Sequence, residues 1–421
     1  MSVDPVQRFR ELAAQHDRMF WLDGGGARAW SGRQSILGFL REEDVSLTYD
    51  AADRRVDRHQ HGRSEVVGDD VFAVLADEVA RDGGDPTVSW VGYLGYACRP
   101  DLPAHTGSGV PDAVWMRVRD PLFVEHPDAP GEVGAAQRAG SRTTPQRYAD
   151  AFDEVQRQLR LGNSYEVNLT YREAVTSVVD PVSAYLRLRD ASPAPYAGYL
   201  QHGDLHLLSS SPERFALVNR DRWLETKPIK GTTPRGATPA EDERLRVSLA
   251  TDPKFRAENL MIVDLLRNDL SMVCEPGTVT VPELMTVESY ASVHQLVSTV
   301  RGRLRDGIGT VEALRALFPA GSMTGAPKLR TMQIIEDVED SPRGVYAGAF
   351  GWVGADGRAD LGVVIRTLVA TSAGDGWAYT LGTGGGITVR SDVDEEYAET
   401  RWKADRLRAA VRPSDHGPAE R

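Results

Sequence analysis

The order of the strand signals is the strongest constraint on the fold. Tyr165, Val167, Leu169 and Tyr171 alternate with polar residues and predict a half-buried strand. Leu205 to Leu208, Phe215 to Val218 and Trp223 to Glu225 follow as further strands, the last two joined as a hairpin across Asn219 to Arg222. Met19 to Leu22 and the glycine-punctuated run Ser89 to Tyr96 add two more. A parallel sheet needs a crossover of about a dozen residues or more between neighbouring strands, with regular β-α-β alternation. That alternation is missing here, and an α+β fold with large antiparallel sheets is expected.

Helices are expected around these strands. Val6, Phe9 and Leu12 share one face of a short N-terminal helix. Thr144 is read as a cap and Pro145 as the opening of a helix with Tyr148, Phe152, Val155 and Leu159 on its apolar face. Glu258 to Leu270, Val311 to Phe318 and Leu329 to Val338 read as helical, and Ser391-Asp392 starts a last helix reaching about Val411. The stretch from His126 to Thr144 is rich in Gly, Pro, Ala and charge, and is expected to be an exposed linker.

Charge excludes several functions. With 61 acidic against 49 basic residues the formal charge is −12, and no basic run is present, which argues against nucleic-acid or anionic-membrane partners. No apolar window approaches the roughly 18 residues of a membrane span, and the first residues lack a signal-peptide pattern, so a cytoplasmic protein is expected. Cys98 and Cys274 form neither a disulfide framework nor a thiolate metal cluster. Only five of the basic residues are lysines: Lys227, Lys230, Lys254, Lys328 and Lys403. Arg cannot serve as a neutral amine at accessible pH and Lys can, so each lysine in a tight motif is a candidate for chemistry.

Lys230 lies in PIKGTTPRG, where two prolines and two glycines predict a rigid turn, with Lys227 and Arg235 close enough in sequence to lower its pKa. GSMTGAPK (321–328) and GTGGGI (382–387) fail the spacing of phosphate loops, but such loops can present N–H groups to small carboxylates. Glu396, Glu399 and Lys403 share one face of the last helix. That face reads as a salt-bridged surface or as a Mg²⁺ site, with Glu258 as a third carboxylate. As the opening residue of its helix, Glu258 could equally serve only the helix dipole.

PIKGTTPRG, SPERF (211–215), AENLMIVDLLRNDLSMVC (257–274), FPAGSMTGAPK (318–328), RGVYAGAFGW (343–352), VVIRTL (363–368), GGGI (384–387) and EEYAETRWKA (395–404) occur in this order in the chorismate-utilising enzymes. The chain resembles that family densely from Tyr148 to about Leu407, with weaker agreement in SGRQSILGF and SWVGYLGY. The resemblance implies two large antiparallel sheets packed face to face with helices outside. It divides the chain into an anthranilate synthase component I-like region (1–125), the linker (126–144), a chorismate-binding catalytic region (145–411) and a disordered tail (412–421).

The resemblance also implies a chemistry. The aminodeoxychorismate synthases of the family carry Lys where this chain has Lys230, and the anthranilate synthases carry Ala. Lys230 would attack C2 of chorismate as the C4 hydroxyl leaves, with Glu213 as general acid/base; ammonia would then displace it at C4. Glu258 and Glu399, with Glu396 beside them, would hold Mg²⁺. Arg366, Tyr346, Gly384 and Gly386 would meet the enolpyruvyl carboxylate, and Gly231, Thr232, Ser322 and Lys328 would lie near the ring carboxylate, with structural support of its loop as the alternative role of Lys328. Lys227 would tune Lys230, and Lys254 is given no role. Gln295 stands where pyruvate-eliminating relatives have His, with His294 displaced to the opposite strand face. Glu166 stands where Gln is common in amine-using relatives and Lys in water-using ones. No glutaminase motif is visible, so ammonia would come from a separate glutamine amidotransferase subunit. The alternative activity is that of anthranilate synthase component I. A catalytically silent subunit is disfavoured by the intact Glu213, Lys230, Glu258, Glu396 and Glu399.

Overall fold

The expected strands form two sheets in a computed structural model that describes residues 4–26, 34–126, 143–290 and 293–413. Residues 127–142 of the expected linker, 414–421 of the expected tail and 31–33 of SGRQSILGF lie outside the described residues. One sheet has nine strands. It runs from Gly325–Ala326 through Glu166–Ser177, Gly376–Ile387, Thr367–Ala373, Leu205–Ser211, Tyr196–His202, Arg18–Asp23 and Gln34–Phe39 to Leu122–Glu125. The other has twelve, with Ile229–Pro234, Val293–Arg303, Trp223–Lys227 and Arg214–Val218 at one end and Arg63–Gly68 at the other. Pairing is antiparallel, and both sheets draw strands from either side of residues 126–144: Arg18–Asp23 pairs with Tyr196–His202, and Val88–Leu94 with Ala349–Gly354.

Alternation along these strands gives each sheet two apolar faces. Phe20, Leu200 and Leu207 of the nine-stranded sheet pack against Val91, Met116 and Phe350 of the other. Outside the first sheet, Phe9, Tyr185, Leu188 and Leu407 from three helices cover Trp21, Tyr199 and Tyr379. Outside the second, Phe72, Ile262, Leu266 and Leu314 join the core of Leu47, Trp90 and Trp115. Each large apolar side chain buried this way contributes roughly 1.5–3 kcal/mol. The layers are helix, sheet, sheet, helix, as expected. Among the described residues no helix is long and apolar enough to cross a membrane.

Several local expectations are corrected. Thr144 does not cap its helix; Pro145 holds the cap position of Gln146–Arg160, and the Thr144 hydroxyl donates to Asp394 instead. Glu258 does not open its helix. Pro253–Ser271 begins earlier, where Asp252 accepts from the Lys254 and Phe255 N–H groups, which leaves Glu258 in the body of the helix. PIKGTTPRG is not a turn, because Ile229–Pro234 is an edge strand paired with Val293–Arg303, irregular between Ile229 and Thr232. GTGGGI lies within the long strand Gly376–Ile387. The strand from Glu166 is buried on both faces over Glu166–Thr170 rather than on one. The helix Pro239–Thr251 went unread although its signal is local: Thr238 accepts from the Glu241 N–H at 3.3 Å, half of a capping box.

Candidate active site

The irregularity in Ile229–Pro234 is the first element of the site. Gly231 has φ +86° there, and a Cβ on it would lie 2.8 Å from Phe255 Cγ. A bulge at a sheet edge re-aims the neighbouring side chain, and Lys230, 8 % exposed, turns into a cavity of about 140 Å³. Facing it are Glu258 from Pro253–Ser271, and Glu396, Glu399 and Lys403 from Val393–Ala410. The connection between Leu205–Ser211 and Arg214–Val218 supplies Glu213. Gly231, Thr232, Ser322, Tyr346, Arg366, Gly384 and Gly386 of the expected set also line this cavity.

Lys328 is the exception. Its Nζ donates to Asp269 Oδ2 at 2.7 Å and to the Leu317 carbonyl at 2.8 Å, and it does not line the cavity. The helix Lys328–Val338 starts at this residue, and the ammonium ties that start to the neighbouring helix instead of to a substrate. Lys227 also departs from expectation: its Nζ lies 2.9 Å from both Glu283 and Glu288. Arg235 is held by Asp242 at 2.6 Å. Neither cation is spent on Lys230. Lys254, given no role by the sequence, lines the cavity and donates to Glu396 at 2.6 Å.

Lys230 is surrounded by acids rather than by the expected cations. Its Nζ donates to Glu166 Oε1 at 2.5 Å. Burial alone pulls the ammonium down, but Glu166, Glu258 and Glu213 together outweigh it and the net direction is up. Lys230 is therefore an ammonium in the resting site. Burial pushes Glu213 up to about 7, against the opposing Ser322 hydrogen bond and the nearby Lys230, Arg366 and Lys403. Ser322 Oγ donates to Glu213 Oε1 at 2.6 Å, while Arg214 donates to Glu225 and the Tyr196 hydroxyl. Burial also pushes the Tyr346 phenol up to about 12, keeping it a neutral hydroxyl on the cavity wall.

The carboxylates fit a hard cation. Glu258 Oε1 is buried with no hydrogen-bond partner among the described residues, and burial pushes that carboxyl up to about 8. An orphaned buried carboxylate oxygen costs free energy unless a cation or donor arrives. Glu396 is neutralised by Lys254, and Lys403, 2.8 Å from Glu399, holds that carboxyl below its ordinary range. Among the described residues no three His, Cys, Asp or Glu side chains converge on one point. The set suits Mg²⁺, which takes one or two carboxylates and fills its remaining positions with water and substrate oxygens.

Strand alternation separates Gln295 from His294. Thr232 pairs with Gln295 and Thr233 with His294. Gln295 lines the cavity, while the His294 ring meets Ser289 Oγ (2.8 Å) and Asp242 Oδ1 (3.0 Å) away from it. The sequence reading missed Asn168, Thr383 and Lys254 as lining residues. A signal existed for Asn168: Glu166, Asn168 and Thr170 form the polar face opposite Val167 and Leu169. That face looks like a solvated one in sequence, and it is buried: Asn168 lines the cavity, Glu166 meets Lys230, and Thr170 donates to Glu339.

The two sheets framing this cavity of paired lysines and carboxylates are shared with a known family of enzymes. Residues 46–409 match the family of chorismate binding enzymes, and the chain belongs to that family. An aminodeoxychorismate synthase of Streptomyces pristinaespiralis is 41% identical, across 98% of this chain and 64% of that protein. An anthranilate synthase component 1 of Haloarcula marismortui is 45% identical across 64% of this chain and 54% of its own length. The crystal structure of anthranilate synthase component I from Streptococcus pneumoniae TIGR4 superposes with a TM-score of 0.74 at 25% identity, covering 96% of this chain and 97% of that one. The chain spans less than two thirds of the length of the aminodeoxychorismate synthases it matches.

Proposed function

We propose that the chain aminates chorismate at C4, giving 4-amino-4-deoxychorismate, with ammonia delivered by a separate glutamine amidotransferase subunit. The observation that carries this reading is a buried lysine, Lys230, in the cavity wall beside a carboxyl, Glu213, poised near neutrality. A nucleophilic amine splits one hard substitution into two easier ones. Lys230 Nζ, once neutral, bonds to ring C2; both ring double bonds shift along the ring toward C4, the C4–O bond breaks, and the Glu213 proton leaves with the hydroxyl as water. Ammonia then bonds to C4, both double bonds shift back, the C2–N bond breaks, and Lys230 departs as the amine. The surplus proton on the new C4 amine returns to Glu213. A carboxyl with a pKa near 7 suits both directions of that transfer.

Substrate carboxylates need cationic and N–H partners in an acidic protein. Arg366, Tyr346, Gly384 and Gly386 are proposed for the enolpyruvyl carboxylate, and Gly231, Thr232 and Ser322 for the ring carboxylate; all line the same cavity. Mg²⁺ on Glu258 and Glu399, with Glu396 beside them, would neutralise the ring carboxylate. Gln295, at the cavity and unable to shuttle a proton, favours a product that keeps its pyruvyl ether over anthranilate.

The test incubates the pure chain with chorismate, Mg²⁺ and ammonium at mildly alkaline pH and weighs the product. Retention of the pyruvyl group together with the new amine supports the proposal; anthranilate plus pyruvate sinks it. Lys230→Ala should remove the activity, and unchanged turnover in that variant would take Lys230 out of the mechanism.

A further inference from the structure

Glu166 is the one charged neighbour of Lys230 that the chemistry above leaves without a task. It is 1 % exposed, and its Oε1 accepts from Lys230 at 2.5 Å. Its other oxygen, Oε2, is buried and has no hydrogen-bond partner among the described residues. The adjacent strand is built to admit this carboxylate. A Cβ on Gly386 of that strand would lie 2.3 Å from Glu166 Oε1. The carboxylate thus has space reserved for it, one cationic partner and one vacant oxygen. A glutamine here would fill the same volume without the charge.

We infer that Glu166 is the positioning residue of Lys230: their direct contact fixes the ammonium in the resting site and restrains the amine from reacting. Glu258 on helix Pro253–Ser271, Glu213 on the strand connection and Glu399 on the last helix also act on Lys230. Glu166 is distinguished from them by direct contact. The catalytic meaning of the inference rests on the proposed amination, but its electrostatic content does not.

Glu166→Gln tests it through the reactivity of Lys230 in the chain without substrate. A hydrogen bond to a charged partner shifts a pKa by about one to two units, so limiting acetic anhydride at pH 8 should acylate Lys230 about 10- to 100-fold faster in the variant. Peptide mass spectrometry reads Lys254 and Lys403 in the same digest, and their rates should stay put if the fold is intact. Gly386→Ala, which pushes on the carboxylate without removing it, should move Lys230 in the same direction and replaces Glu166→Gln if that variant does not fold. An equal or slower Lys230 rate overturns the inference. The acid limb of the amination profile should also move to lower pH in Glu166→Gln. Faster acylation in a chain that makes no aminodeoxychorismate leaves Glu166 in place and refutes only the proposed reaction. Amination with unaltered Lys230 acylation refutes only the role of Glu166.

Discussion

Replacing Ser322 by Ala isolates one contribution to the acid/base group. The Ser322 hydroxyl donates to Glu213 Oε1 at 2.6 Å, and both side chains are buried. This bond stabilises the charged form of Glu213 and so lowers its pKa, while burial, the larger effect, raises it to about 7. A hydrogen bond to a charged group is worth about 1.5–3 kcal/mol, and 1.36 kcal/mol corresponds to one pKa unit. Removing the hydroxyl should therefore raise Glu213 by about one to two units, so that it stays protonated to about pH 8–9. The assay is an infrared titration of the protonated-carboxyl band that Glu213→Gln deletes. In Ser322→Ala its midpoint should move alkaline, and the alkaline limb of kcat/KM, taken at constant free ammonia, should move with it. The absolute rate also falls, because Ser322 lines the proposed substrate face, so the position of the limb carries the test and its height does not. A midpoint that stays put or moves acid would refute the view that Ser322 tunes Glu213.

Two further perturbations test the cation site and the bulge. In Glu258 the folded-state value of about 8 lies above the ordinary 4.5, so this carboxyl destabilises the metal-free fold increasingly as pH rises from about 4.5 to 8. At pH 8 the cost is on the order of 4 kcal/mol, so Glu258→Gln should melt higher than the parent in metal-free buffer and lose any stabilisation by Mg²⁺. A lower melting temperature without metal, or an unchanged Mg²⁺ response, contradicts the assignment. Gly231→Ala forces a Cβ to 2.8 Å from Phe255 and 2.9 Å from Leu249 at φ +86°. Left-handed strain and overpacking together should cost about 2–5 kcal/mol in urea denaturation, with loss of activity as Lys230 is displaced; a cost below about 1 kcal/mol would mean the bulge relaxes freely.

Much of the site was legible because the residues that do chemistry sit in dense local motifs. SPERF carries Glu213, PIKGTTPRG carries Lys230 to Thr232, and EEYAETRWKA carries Glu396, Glu399 and Lys403. All of them reach one cavity. What failed was local conformation at glycines. PIKGTTPRG and GTGGGI have the composition of turns and are strands in the structure, because ladder partners on Val293–Arg303 and Glu166–Ser177 override the local preference. The half-buried strand at Tyr165 failed for a related reason, since a polar face is predicted to be solvated unless something polar and functional is known to lie against it.

The order of strands in the chain pointed to the antiparallel α+β class, since neighbouring parallel strands need a crossover of about a dozen residues or more. The motifs marked which lysines and carboxylates could carry chemistry. Which charge meets which was set by the packing of the two sheets and their helices. Lys230 finds Glu166 across 64 residues, Lys254 finds Glu396 across 142, and Lys328 is drawn away to Asp269 across 59. Neighbours in sequence, Lys227 and Arg235, spend their charge on other acids. Coulomb interactions depend on distance in space and on the dielectric between the charges, and neither is set until the two sheets and their outer helices close on one another.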